Sequence, residues 1–158
     1  MIGTSLALSP DGRRLATTRE DQKTVQILDA DNLEEVLTLG GNTAYITRLV
    51  FSLDGKLMAS GSEDGVIRIW DVASGQSVSI IRGHTGAVEQ ISFHPDGRRM
   101  ASCSRNSVKV WDVRAGREAF LHEGGAWRDV TFSPDGHLLT ACGDDFGMRI
   151  WDATPVGH

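Results

Sequence analysis

Ser60, Asp64, His84 and Ser102 are the residues whose types could carry chemistry, and they sit among Trp70, Trp111 and Trp151. A Ser, a His and an Asp in one hydrogen-bond chain can activate a hydroxyl for acyl transfer. That reaction also needs donors aimed at the developing oxyanion, and hydrolases commonly hold the nucleophile on a G-x-S-x-G turn. The sequence has no G-x-S-x-G and no phosphate-cradling G-x-x-x-x-G-K-[ST]. Gly40-Gly41-Asn42-Thr43 has no following Lys and reads as a turn. His84, His94, His122, His137 and His158 do not pair at metal-ligand spacing, and Cys103 and Cys142 form no C-x-x-C pair. No catalytic residue, metal or cofactor is expected.

Composition narrows the partner. Sixteen Lys and Arg face 21 Asp and Glu, for a net charge of −5. A nucleic-acid or anionic-membrane coat would need the opposite sign, so nucleic acid is not the expected ligand. Hydrophobic residues at 40% suffice for a packed core. No apolar run is long enough to span a bilayer as a helix, and residues 1–5 lack a secretory pattern, which is compatible with a cytoplasmic setting. The 18 Gly against 4 Pro suggest many tight turns rather than a flexible linker.

Those turns recur. Ser-Pro-Asp11-Gly12, Ser-Leu-Asp54-Gly55, His-Pro-Asp96-Gly97 and Ser-Pro-Asp135-Gly136 are spaced by about 40 residues. Leu28-Asp29, Trp70-Asp71, Trp111-Asp112 and Trp151-Asp152 keep the same period. The units run approximately 1–40, 41–82, 83–122 and 123–158 as a single domain segment. Within a unit, short runs such as Val108-Lys109-Val110-Trp111 alternate with period two, as strands with unlike faces do. Four strands fill each unit and leave no room for a helix.

With Gly83-His84, the Asp-Gly turns, Ser60-Gly61-Ser62-Glu63-Asp64-Gly65 and the Trp-Asp pairs, the chain resembles the WD-repeat family. The resemblance implies an all-β propeller of about four antiparallel four-stranded blades, the last lacking its outer strand, in an open or partial ring. It also implies a buried chain in each blade linking His, Ser or Thr, Asp and the Trp indole. Carried over by position, no blade completes the set. The second has Ser60, Asp64 and Trp70 but Asn42 for His. The third has His84, Ser102 and Trp111 but Asn106 near the place of Asp. The fourth has Asp145 and Trp151 but Ala141 and Glu123, and the first has Thr17 and Asp21 with Leu28 for Trp. Cys103 and Cys142 share one repeat position and are expected as small buried strand residues. Trp127 shares the position of Ile46 and Val88, which predicts a core residue.

The resemblance implies a rigid platform whose loops bind partners. Tyr45, Thr47, Glu63, Glu89, Arg105, Arg128 and Asp144 map to the end formed by loops entering the innermost strands and turns between second and third strands. The expected function is a non-catalytic protein-interaction scaffold for a protein or peptide. The alternative is a sensory or regulatory propeller within a larger protein, such as a bacterial kinase-like one. Out-of-phase ends suggest a fragment, completed by further blades of a parent chain or by a second copy.

Overall fold

The computed structural model describes residues 5–144 and 147–154. Among these described residues, fifteen strands form four antiparallel sheets. Blade 1 contains β1 (Leu6–Leu8), β2 (Arg14–Thr18), β3 (Val25–Asp29) and β4 (Glu35–Leu39). Blade 2 contains β5 (Ile46–Phe51), β6 (Leu57–Ser62), β7 (Val66–Asp71) and β8 (Ser77–Arg82). Blade 3 contains β9 (Gln90–Phe93), β10 (Arg99–Ser104), β11 (Ser107–Asp112) and β12 (Glu118–Glu123). Blade 4 contains β13 (Trp127–Phe132), β14 (Leu138–Gly143) and β15 (Met148–Asp152). Strands pair in chain order within each blade. The innermost strands stand side by side, β1 next to β5, β5 next to β9, and β9 next to β13. This is the expected all-β partial propeller. No helix among the described residues is long and apolar enough to cross a membrane.

The turns are built by their own side chains. Ser9 Oγ donates to Asp11 Oδ1 at 2.6 Å, and that carboxylate accepts from Arg13 N at 3.1 Å. Ser52–Asp54 and Ser133–Asp135 repeat the arrangement. His94 stands where these Ser stand. Its Nδ1 accepts from Asp96 N at 3.0 Å, and its Nε2 lies 2.9 Å from Gly136 O in blade 4. A local turn residue has thus become a link between blades.

The core lies between the sheets. Ala16, Val25, Ile27 and Leu39 of blade 1 meet Ile46, Leu49, Phe51, Met58 and Trp70 of blade 2. Ala59, Ile67, Ile69 and Ile81 of blade 2 meet Val88, Ile91, Phe93, Met100 and Trp111 of blade 3. Ala101, Cys103, Val108 and Val110 of blade 3 meet Trp127, Val130, Phe132, Leu139 and Ala141 of blade 4. Each joint therefore sets a small, β-branched face against a face of larger side chains. Burying one such large apolar side chain contributes about 1.5–3 kcal/mol. Cys103 is buried as expected, but Cys142 is exposed, because among the described residues no blade packs on its face.

One glycine shows how tightly neighbouring blades fit. Gly65, with φ +77°, sits where a Cβ would lie 2.4 Å from His84 O and 2.9 Å from Gly86 O. Gly97 has a similar φ of +67°, but nothing lies within 4 Å of its would-be Cβ. Gly97→Ala should cost about 1 kcal/mol from the positive φ alone. Gly65→Ala should cost about 2–4 kcal/mol, because backbone must also move. Thermal denaturation followed by circular dichroism checks this; equal losses would refute the clamp.

Candidate functional site

Sequence singled out two sets of residues: buried polar groups inside the blades, and loop residues at one end. The third blade holds the fullest polar chain. His84 is 7% exposed, with Nε2 at 2.7 Å from Ser102 Oγ and Nδ1 at 3.0 Å from Ser107 Oγ. Trp111 Nε1 donates to Ser102 Oγ at 2.7 Å, and Ser104 Oγ donates to Asn106 Oδ1 at 2.7 Å. One direction of donation satisfies every group. It runs from Trp111 to Ser102, from Ser102 to His84 Nε2, from His84 Nδ1–H to Ser107, and from Ser107 through Ser104 to Asn106. Asn106 Nδ2 then donates to Thr85 Oγ1 at 2.8 Å. Asn106 therefore does not take the place of the missing Asp beside His84; Ser107 does. A hydroxyl at the first residue of a strand carries little signal in sequence, which is why Ser107 was not foreseen. Burial, with a smaller contribution from Lys109, lowers the His84 pKa to about 4. The imidazole is thus held neutral, locked into packing.

The second blade divides its set. Ser60 Oγ donates to Asn42 Oδ1 at 2.9 Å, and Asn42 Nδ2 donates to Lys23 O of blade 1 at 3.0 Å. Asp64 instead caps its own turn, accepting from Ser62 Oγ, Thr43 Oγ1 and Val66 N. Trp70 is 2% exposed, and no hydrogen bond joins its indole to Ser60. In the fourth blade Ala141 removes the hydroxyl. Trp151 packs there against His122 at 5.3 Å, Phe120 at 5.8 Å and Trp127 at 6.1 Å between ring centroids. Trp127 is 4% exposed, in keeping with its repeat position. Asp145 lies outside the described residues. In the first blade Thr18 Oγ1 is buried without a partner among the described residues.

The loop residues collect at one end of the sheets, because antiparallel pairing brings the start of each innermost strand beside the end of the second. Four of the seven form a single ionic ladder. Arg105 reaches Glu89 at 3.2 Å, Arg128 reaches Glu89 at 3.4 Å, and Arg128 reaches Asp144 at 2.8 Å. The hydrogen bond with Asp144 raises the Arg128 pKa, and the same bond lowers that of Asp144. Arg48, which sequence reading passed over, donates from Nε to Glu89 O at 2.6 Å and ties in blade 2.

Thr47 differs from expectation. It is half-buried, and its hydroxyl donates to Val88 O at 2.6 Å as a link between blades 2 and 3. Glu89 and Arg128 are likewise partly covered and engaged by neighbours, not free loop groups. Tyr45 is 50% exposed, with Lys23 Nζ 5.5 Å from its ring centroid. Glu63 is exposed, and its backbone N donates to Tyr45 O at 2.9 Å. Lys23 was another omission, although its turn between second and third strands already marked it for this end.

A family model described as WD domain, G-beta repeat, matches residues 33–71, 75–112 and 120–152, well over half of the chain. The chain belongs to the WD40 family. Each matched stretch starts within two residues of the start of an outer strand and ends on the Asp of the next blade's third strand, so the repeat unit straddles two blades. Among curated WD40 relatives, the target of rapamycin complex subunit wat1 of Schizosaccharomyces pombe is 28% identical over 151 residues, covering 92% of this chain and 48% of that protein. Nuclear distribution protein PAC1 of Arthroderma otae is 48% identical over 48 residues, covering 29% of this chain and 10% of that protein. The chain spans about half of the first relative's length and a tenth of the second's.

The His84 network makes stability depend on pH. The folded pKa of about 4 lies below the ordinary histidine value of 6.5, so folding favours the neutral ring. The stabilisation is complete above pH 6.5 and is lost as pH falls toward 4, by about 3 kcal/mol. Urea denaturation at pH 7.5 and 4.5 should therefore show a larger acid loss for the wild type than for His84→Gln. Parallel losses would remove the assignment.

Proposed function

We propose that this WD40 chain is a non-catalytic interaction scaffold whose loop end takes a protein or peptide partner. The observation that carries the reading is the exposed Tyr45–Lys23 pair, set on loops that the ionic ladder and the Thr47 and Arg48 bonds hold rigid. An aromatic side chain and an arginine on a preorganised surface are the groups that dominate binding energies. Arg105 side-chain exposure is 65%, so it can still meet a carboxylate beyond Glu89. Glu63 lies close to Tyr45 along the same end. The Ser and His groups that could suggest catalysis are buried, and their hydrogen bonds are made to one another. The name of wat1, a complex subunit, supports the same reading. A cytoplasmic location, no cofactor, and a protein rather than nucleic-acid ligand complete it.

A second reading is a sensory or regulatory propeller portion of a larger protein, such as a bacterial kinase-like one. It is favoured by the match to only 48% of wat1. In either case further blades, or a second copy, cover the open faces of blades 1 and 4.

Binding decides between an active loop end and a bystander. The Tyr45→Ala/Arg105→Ala double variant should keep its fold by circular dichroism and lose at least tenfold in partner affinity, as removal of two anchors does. Affinity capture followed by titration of the captured partner measures it. Unchanged affinity would exclude this end. Thr47→Val should instead lower thermal stability and leave affinity intact.

A further inference from the structure

Arg48 and Arg105 share Glu89 as their anchor at the loop end, and each is held through one nitrogen. Arg48 Nε donates to Glu89 O at 2.6 Å, and Arg105 Nε donates to Glu89 Oε1 at 3.2 Å. Among the described residues neither side chain makes a hydrogen bond from Nη1 or Nη2. Both residues are exposed. Arg128 is the contrast. Its Nε and Nη2 are engaged by Asp144 and its Nη1 by Glu89. A guanidinium carries five N–H donors, and pairs of them match the two oxygens of a carboxylate. Arg128 uses those pairs inside the ladder. Arg48 and Arg105 keep their terminal nitrogens turned to other uses, while the Nε bonds hold each group in place before any ligand arrives.

The charges around Glu89 do not balance. Arg48, Arg105 and Arg128 supply three guanidinium groups, and Glu89 and Asp144 supply two carboxylates. Asp129, next after Arg128, lines a separate groove with Thr140 and Met148. Glu63 makes no ion pair with the three arginines among the described residues. One positive charge is thus left over, in a chain whose net charge is −5. A single carboxylate neutralises it. A phosphate group, with a charge of about −1.5 to −2 at neutral pH, exceeds what the site balances. It would also face the Glu89 carboxylate, which two ion pairs fix between Arg105 and Arg128.

We propose that Arg48 and Arg105 together take an unphosphorylated acidic side chain, Asp or Glu, of a partner peptide. This rests on the reading of the loop end as the binding surface. It adds the charge of the partner and gives Arg48 a part in recognition. The site spans blades 2 and 3, with blade 4 holding Glu89 through Arg128.

Peptides selected from a random library on the intact chain, then synthesised with blocked termini and titrated by fluorescence polarisation, test it. Those that lose affinity on Tyr45→Ala define the loop-end set. In that set a recurring Asp or Glu is expected, and its replacement by Asn or Gln should weaken binding about tenfold. Arg48→Gln/Arg105→Gln should weaken the acidic peptide by a similar factor, with unchanged circular dichroism, and should bind the acidic and neutral forms equally. If the double variant misfolds, Arg105→Gln, at a side chain 65% exposed, gives the same reading alone. Added salt should weaken the acidic peptide more than its neutral form. Phosphoserine at the acidic position should bind no tighter than Glu. Loop-end peptides without an acidic position, tighter binding of phosphoserine, or an arginine variant that still prefers the acidic form would each overturn the proposal and leave the loop end as the binding surface. Peptides that all ignore Tyr45 and Arg105, or no binding peptide at all, would overturn the loop-end reading and the proposal with it.

Discussion

A four-stranded antiparallel sheet with apolar residues on both faces cannot bury itself. Every other feature of this chain depends on that constraint. Val25 and Ile27 of one blade become core only because Phe51, Met58 and Trp70 of the next are laid over them. The hydrophobic effect therefore acts between blades, and stability is a sum over neighbouring pairs rather than a property of one central core. Polar groups follow the same logic. Asn42 accepts from Ser60 inside blade 2 while donating to Lys23 O in blade 1, and Thr47 reaches from blade 2 to Val88 O. These bonds fix the rotation of one sheet on the next, which non-directional apolar contact leaves loosely defined.

That rotation matters for function because the loop end is assembled across joints. Glu89 before β9, Arg105 in the β10–β11 turn, Arg128 on β13 and Asp144 after β14 are far apart in sequence, yet share one ladder. Exposed ion pairs of this kind contribute little stability singly. Their effect is to hold side chains in place before a partner arrives, which lowers the entropy lost on binding. Rigidity at this end thus derives from the core below it.

The fold was legible because its signals are local and repeated. Asp-Gly turns, Trp-Asp strand ends and period-two alternation each depend on a few adjacent residues, and their common spacing gives the order of sheets. The site was legible only in part. Topology placed Glu89, Arg105, Arg128 and Asp144 at one end, but nothing in their identities told which would be engaged with one another. Thr47 looked like a loop residue because strand alternation does not reveal a carbonyl on the neighbouring blade. Ser107 was missed for a related reason: replacement of Asp by a hydroxyl preserves a hydrogen bond while erasing the charge by which the position is known. Cys142 shows the opposite failure. Its strand position is that of buried Cys103, yet exposure is set by what lies beyond the blade.

His94 gives the molecule a history as well as a structure. At this turn position the other blades carry Ser, which bonds to its own Asp; His94 keeps a bond to its own Asp96 through Nδ1 and also extends from Nε2 to the carbonyl of Gly136, whose Cβ would sit 2.4 Å from the ring. Arg99 adds a bond to Ala153 O across the same joint. Blade 3 and blade 4 are therefore fitted to each other by a turn contact of a kind that Ser9, Ser52 and Ser133, bonded to their own Asp, do not make. Repeats that arise by duplication begin as interchangeable modules. Here a blade exchanged into either place would bring a turn without the His94 and Arg99 bonds to this joint.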